Sequence, residues 1–280
     1  MMRFFKYFIF SICFLFGTNP AFSSNESGHH FQRVLIIVLE NQNYEDVILD
    51  PYFKSLAKRG ANLTDFHAIT HPSYPNYLAM ITGQWIHTPG DFQINLNERT
   101  IADLLNAKGL SWKNYAEDYP GNCFTGSQSG LYARKHVPFM SFISIQSSQC
   151  PNIVSGVAFT HDVAHHLLPN YMFYSPNMNN DGHDTGLTYA SQWLNRFLTP
   201  LLNNPKFMQG TLIIVTFDES RHDTTNHIYT VLLSKRIKPG DYNEHYDHFN
   251  VLRTVEDNFN LGTLADSDKE AKPISGVWAD

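Results

Sequence analysis

Arg33-Val34-Leu35-Ile36-Ile37-Val38-Leu39-Glu40-Asn41 decides the fold. A continuous run of β-branched and aliphatic residues is the pattern of a strand buried on both faces, and this one stops at an acid and an amide. Residues 211–217 (TLIIVTF) repeat the pattern and stop at Asp218-Glu219. Further strands are expected at 63–66, 111–116, 171–174 and 227–233. Helices are expected at 50–58 (closed by Gly60), from Pro75 to near Gly83, and at 98–108, 187–198 and 250–259. The alternation predicts an α/β domain whose parallel or mostly parallel sheet is covered on both faces. The stretch 119–155, rich in Gly, Ser, Pro and Gln, reads as an insertion or cap rather than a core layer, and the polar tail after Gly262 as a surface loop. No internal repeat or second domain is visible.

The N-terminus carries Arg3 and Lys6, an apolar run over 7–16, and Ala21-Phe22-Ser23. This is the order of a secretory signal peptide over 1–23, and the run is too short for a membrane anchor. A single domain over 24–280, secreted or periplasmic and without a membrane segment after cleavage, is the expectation. Cys13 lies in the leader, which leaves Cys123 and Cys150 to pair in an oxidising compartment and close the 119–155 stretch. Net charge is −6, and no basic stripe appears, so nucleic acid is not expected as a partner. Asn25 and Asn62 sit in Asn-x-Ser/Thr acceptor sequences.

In open α/β sheets, sites form at the carboxyl ends of strands. Four polar clusters follow strands or hold equivalent positions: Glu40-Asn41, Ser73, Asn180-Asp181-Gly182-His183-Asp184, and Asp218-Glu219. Ser73 lies in His71-Pro72-Ser73-Tyr74-Pro75-Asn76-Tyr77. Its backbone is restricted by prolines, and Pro75 is suited to the first position of the following helix. A helix N-terminus favours an anion such as a phosphate oxygen. Glu40, Asn41, Asp218 and Glu219 are hard oxygen donors for one divalent ion, Ca²⁺, Mg²⁺, Mn²⁺ or Zn²⁺. Such an ion would lower the pKa of a Ser73 hydroxyl bound to it and polarise a phosphoryl oxygen. His183, flanked by Asp181 and Asp184, is the first candidate proton donor, followed by His227 and His248. His29, His30, His136, His161, His165 and His166 read as surface or packing residues, and Glu45 and Asp46 as solvated charges at a helix entry.

These segments together resemble the bacterial secreted acid phosphatases of the phosphoesterase family that also contains the non-specific phospholipases C, within the alkaline phosphatase superfamily. The residues that carry the resemblance are Leu39-Glu40-Asn41, His71-Pro72-Ser73-x-Pro75-Asn76-Tyr77, Pro176-Asn177-x-x-Asn180-Asp181-x-His183-Asp184, Phe217-Asp218-Glu219 and Leu252-Arg253-Thr254-Val255-Glu256-Asp257. The resemblance implies an α/β/α sandwich, a metal held by the Glu-Asn and Asp-Glu pairs, and Ser73 as the phosphorylated nucleophile. His71 and Asn76 would then contact substrate. Tyr77 stands where a sulfatase signature needs Arg, which disfavours that chemistry. Glu219 stands where two-metal members of the superfamily carry His. The function expected is hydrolysis of phosphate monoesters, on a small phosphorylated substrate or a phosphoinositide headgroup. The alternatives are a phospholipase C-type phosphodiesterase and a secreted binding protein that keeps the fold without chemistry. The presence of Glu40, Ser73 and Asp218 argues against the last.

Overall fold

The computed structural model describes residues 30–279 except 89, 222, 223 and 265. The expected leader and Asn25 therefore lie outside the described residues. The first strand, β1 (Arg33–Leu39), is buried along nearly its whole length at the centre of an eight-stranded sheet. The others are β2 (Ala61–Leu63), β3 (Trp112–Ala116), β4 (Ile153–Ser155), β5 (Tyr171–Ser175), β6 (Thr211–Phe217), β7 (Thr230–Leu233) and β8 (Gly240–Tyr242), in the order β8-β2-β7-β6-β1-β5-β3-β4. β7 runs antiparallel to both neighbours, while all the other pairings are parallel. Thr230 sits opposite Thr216, with their hydroxyls 2.7 Å apart. Among its described residues the link from Phe217 to Thr230 carries no helix, and the chain turns back instead of crossing over to a parallel neighbour.

Helices cover both faces. Along β5, Phe173 faces Tyr77 and Phe139, whereas the next residue, Tyr174, meets Phe159, Trp193 and Phe197. That alternation separates two helical layers. On Phe173's side lie α2 (Ser73–Thr82), α3 (Ile101–Ala107) and α6 (His248–Asn258); on Tyr174's side lie α1 (Pro51–Arg59), α4 (Gly156–His165) and α5 (Leu187–Leu202). α1 begins at Asp50, whose carboxylate accepts from Tyr52 N and Phe53 N. α2 is buried along its length and ends at Gly83 in the left-handed conformation (φ 68°), which suits a residue without Cβ. It starts two residues before the expected position. Ser73 is its first residue, and Pro75 falls within the first turn.

The 119–155 stretch contributes more than a cap. Ile153–Ser155 joins the edge of the sheet, and Phe139, Met140, Phe142 and Ile145 are buried in the main core. Their irregular spacing follows a short 3₁₀ turn and a π turn, so neither a helical nor a strand period announces them. The Arg134 side chain is buried and satisfied by the carbonyls of Met140, Thr125 and Ile94 and by Asn95 Oδ1. The Cys123–Cys150 disulfide forms as expected. Asn62 does not present an acceptor side chain to solvent: it is buried and donates to Tyr44 Oη and Asp241 Oδ1.

On α6, Glu256 is fully buried beside Asp268. Burial pushes its carboxyl up to about 9, and the neighbouring Asp268 charge adds to the shift. In the unfolded chain this group releases its proton near pH 4.3, roughly, whereas the folded chain keeps it. Its contribution to stability is therefore lost progressively as pH rises from about 4.3 towards 9. The urea midpoint of Glu256→Gln should fall less than the parent's between about pH 5 and pH 8. Parallel midpoint-versus-pH curves for the two proteins would show Glu256 to be ionised in the fold.

Candidate active site

The register of β1 and β6 builds the site. Leu39 pairs with Phe217, and Asp218 N donates to Leu39 O at 2.9 Å, so Glu40 and Asp218 leave adjacent strands side by side. Asn41 turns away in a left-handed conformation (φ 47°), where its N–H donates to Asp218 Oδ1 at 3.0 Å. Glu40 N donates to Asp181 O at 2.9 Å, which brings the Asn-Asp-Gly-His-Asp loop beside the strand end. That loop is held from β3's end by Glu117, which accepts from Asn177 N and from the Asn180 amide.

Ser73 stands at the centre of this cluster. Its Oγ lies 3.1 Å from Glu40 Oε2, 3.1 Å from Glu219 Oε1 and 3.3 Å from Asn41 Oδ1. A hydroxyl has one hydrogen to give, so these acceptors outnumber the donor. The Asn41 amide suits these neighbours with its NH₂ group turned inwards, where it donates to Glu40 Oε2, Ser73 Oγ and the Asp218 carboxylate. Such a concentration of buried oxygen is the donor set of a hard cation. Glu40, Asn41, Asp218 and Glu219, with Ser73, fit a divalent ion by chemistry. The three carboxylates surround the hydroxyl rather than crowding one point. Among the described residues, the trio of histidine and carboxylate side chains whose ligand atoms all lie within 4.8 Å of one another is Asp65, His67 and His245.

The electrostatics are asymmetric. Burial alone would raise Glu40, but His136 outweighs it, helped by Lys135 and the Tyr77 hydroxyl, and holds the carboxyl down at about 2. Tyr77 Oη donates to Glu40 Oε1 at 2.6 Å. Asp218 is pushed well above the usual carboxylate range, first by burial and then by the charges of Glu40 and Glu219. Burial carries Glu219 up to about 7 against the pull of His71, whose Nδ1 is 2.5 Å from Glu219 Oε2.

His136 was not foreseen as a functional residue. It is buried between two carboxylates, with Nε2 3.1 Å from Glu40 Oε1 and Nδ1 3.2 Å from Asp181 Oδ2. Both contacts are ion pairs rather than well-aligned hydrogen bonds. The two charges raise the imidazole to about 10 against the effect of burial, and its ring stacks on Tyr77. Lys135 adds a second cation, 4.0 Å from Glu40 Oε2 and 2.8 Å from Asp91 Oδ2. Asp91 in turn accepts from Tyr74 N, so one N–H of α2's first turn is engaged by a carboxylate. The sequence signal for both cations was a Lys-His pair inside the cysteine-bracketed stretch, with no periodicity to place it.

The other candidates sort differently. Asp181 belongs to the cluster through His136 and accepts from His183 N at 2.8 Å. His183 lies towards solvent, 2.7 Å from Asp184, and shares with Asn41, Asp184 and Arg221 the lining of a polar pocket of about 400 Å³. His248 is buried, and its Nε2 contacts Asp218 O at 2.8 Å; it supports the backbone of the Asp-Glu pair. Burial lowers its imidazole to about 4, with the Asp218 carbonyl opposing, so it stays neutral there. Asn76, expected to contact substrate, has its amide engaged within the fold. It is buried and braces the loop before Ser73, accepting from Ile69 N and Thr70 N and donating to Thr70 O. His227 is also outside the cluster: its ring stacks on Tyr44 and contacts Glu45 and Thr64 O. The extended run that suggested a strand from 227 becomes regular only at Thr230, which leaves His227 in an isolated bridge to His67. Glu45 is exposed, as expected of a solvated charge, and is also its ion-pair partner.

Replacing His136 by Ala should leave Glu40 and Asp181 buried without their shared counter-charge. The expected cost is on the order of 3 kcal/mol, read from urea denaturation at neutral pH. Unchanged stability would mean that Lys135 alone neutralises Glu40.

The family model for the phosphoesterase family matches residues 44–262. A probable acid phosphatase of Kluyveromyces lactis is 37% identical over 270 residues, covering 91% of this chain and 64% of that protein. A phosphatidylinositol-3-phosphatase of Mycobacterium tuberculosis is 34% identical over 262 residues, covering 89% of this chain and 84% of that protein. This chain thus spans less than two thirds of the length of the yeast relative. Among solved structures, a protein of the alkaline phosphatase superfamily from Vibrio parahaemolyticus superimposes with a TM-score of 0.64 at 13% identity, over 89% of this chain and 71% of that one. The likeness is one of fold: a mixed α/β architecture around a large, mostly parallel sheet. This chain belongs to the phosphoesterase family.

Proposed function

We propose that this protein is a phosphatase that hydrolyses phosphate monoesters through a phosphoserine at Ser73. The observation that carries this reading is the Ser73 hydroxyl, buried at the first position of α2 and within 3.1 Å of both Glu40 and Glu219. Ser73 Oγ gives up its proton and attacks phosphorus in line, the ester P–O bond breaks, and the leaving alkoxide takes a proton from water and departs as the alcohol. The phosphoseryl ester is then hydrolysed by water. Glu40, Asn41, Asp218 and Glu219 would hold one divalent ion, which when bound supplies positive charge against the Ser73 oxygen and the phosphoryl group. His71, held by Glu219, and Lys135, held by Asp91, are placed to offer hydrogen bonds to phosphoryl oxygens.

The names of the two relatives support the same chemistry, and that of the mycobacterial protein suggests a phosphoinositide headgroup as a substrate class. A cleft of about 220 Å³ beside Lys135, lined by Tyr74, Gln93, Gln128 and Met178, offers room for a leaving alcohol. Export through the N-terminal leader is part of the proposal, supported by the apolar run over 7–16 and by the Cys123–Cys150 disulfide.

Ser73→Ala should lose on the order of 10⁴ or more in turnover of p-nitrophenyl phosphate while keeping fold and metal content. Rapid acid quench with a radiolabelled monoester should trap label on the peptide containing Ser73 in the parent alone. Turnover within about tenfold of the parent, with no trapped label, would make water the direct nucleophile. The bis ester assayed beside the monoester separates this reading from a phospholipase C-type diesterase, which would prefer the diester.

Metal removal is a separate test. Chelation should abolish activity of the parent reversibly, and Asp218→Ala should lose bound metal and activity together. Full turnover in excess chelator would sink the metal-dependent part of the proposal.

A further inference from the structure

A second cluster of metal-binding groups lies outside the Ser73 site and shares no residue with it. Phe66–His67 and Tyr246–Asp247 form a short parallel ladder, with Tyr246 opposite Phe66 and Asp247 opposite His67. Tyr246 N donates to Asp65 O at 3.0 Å, so backbone hydrogen bonds fix the segments that carry Asp65, His67 and His245. The two Asp65 oxygens each meet one imidazole. His67 Nε2 lies 2.8 Å from Oδ1, and His245 Nδ1 lies 3.3 Å from Oδ2. The two imidazole rings are 5.0 Å apart, centre to centre.

We infer that Asp65, His67 and His245 form a binding site for a zinc-class divalent ion. Two imidazole nitrogens and one carboxylate are a standard ligand set for zinc, and the softer donors distinguish it from the all-oxygen cluster at Ser73. Ligand atoms that already lie within 4.8 Å of one another need only small rotations to meet a common centre. The orientation of His67 is the second observation. Its Nδ1 sits 2.6 Å from the carbonyl of Thr225, which can only accept, so that nitrogen carries a proton, and Nε2, on the Asp65 side, is the nitrogen that a metal would take. A backbone carbonyl holding the far nitrogen is the arrangement that fixes a metal-ligating histidine in its tautomer. His227 also stacks on His67 and is not a ligand, since its own nitrogens meet Glu45 and Thr64 O.

The position gives the ion a structural task. Asp247, the residue paired with His67, is the N-cap of α6, accepting from Phe249 N and Asn250 N. The next residue, His248, supports Asp218 O. An ion joining residues 65 and 67 to residue 245 would clamp the entry of α6 and, through it, the backbone that carries Asp218-Glu219. The open face is wet: His245 keeps 68% of its side-chain exposure, Asp65 41% and His67 25%. Water would complete the coordination.

The test is zinc stoichiometry of the full chain by equilibrium dialysis against micromolar ZnCl₂, in the parent and in Asp218→Ala, each with and without His245→Ala. His245 is exposed, so its removal should not unfold the chain, and circular dichroism checks this. We expect His245→Ala to lower bound zinc by one ion per chain in both backgrounds, and Asp218→Ala alone to keep that ion. Cobalt substitution supplies a readout independent of counting: a visible d–d band that disappears in His67→Ala and His245→Ala but persists in Asp218→Ala. Equal zinc stoichiometry with and without His245, or no zinc retained by Asp218→Ala, would overturn the site and leave the trio as an Asp65-centred pair of histidine ion pairs.

Discussion

Two buried carboxylates forced together by strand register are the constraint from which the site follows. Leu39 pairs with Phe217, so neither Glu40 nor Asp218 can withdraw from the other without breaking the central ladder of the sheet. The Glu40 charge opposes ionisation of its neighbour and, with burial, pushes the Asp218 carboxyl well above the usual range, a repulsion that bears on the pair. Apolar burial of β1 and β6 holds them there. At about 25 cal/mol for each Å² removed from water, two fully covered aliphatic strands outweigh that repulsion. Core packing thus sustains an arrangement that the charges by themselves would disperse.

The surrounding residues divide the two acids into different roles. Glu40 receives Tyr77, His136 and Lys135 and remains ionised. Asp218 receives the Asn41 backbone N–H and a carbonyl prop from His248, and burial with the neighbouring carboxylates pushes its carboxyl well up. Glu219 sits between, with His71 on one oxygen and Ser73 on the other. A cation at Ser73 would relieve Asp218 and Glu219 more than Glu40, because Glu40 already has its own cations. The cluster is therefore a negatively charged cup with one fixed wall and one wall whose charge depends on what binds.

How much of this was legible in the sequence follows from what kind of constraint places each residue. Glu40, Asn41, Asp218 and Glu219 were legible because strands buried on both faces leave an unbroken apolar run, and a break in such a run locates the sheet's edge. Ser73 was legible from its proline-bracketed approach to a helix. His136 was not. It reaches the centre on a 3₁₀ turn whose buried neighbours follow no period, and only the tertiary fold shows that Glu40 and Asp181 lie on either side of its ring. His227 and Asn76 differ in the opposite way: their positions next to ordered elements suggest function, and each engages its polar atoms in local structure.

The residues that the sequence hid also show why fold and site cannot be separated here. Lys135 and His136 come from the stretch closed by the Cys123–Cys150 bridge, and the same stretch supplies Phe139 and Met140 to the core and Ile153–Ser155 to the edge of the sheet. Arg134, one residue before the pair, is anchored by four hydrogen-bond contacts to carbonyl oxygens. A guanidinium buried in this way fixes the backbone beside it, because loosening the turn would strand a charge away from water. The positions of Lys135 and His136 are thus set by a desolvated arginine and a covalent bridge rather than by attraction to Glu40. Cations placed independently in this way can hold Glu40 ionised in a fully buried site, where a mobile surface lysine would lose more entropy than it gained in charge pairing.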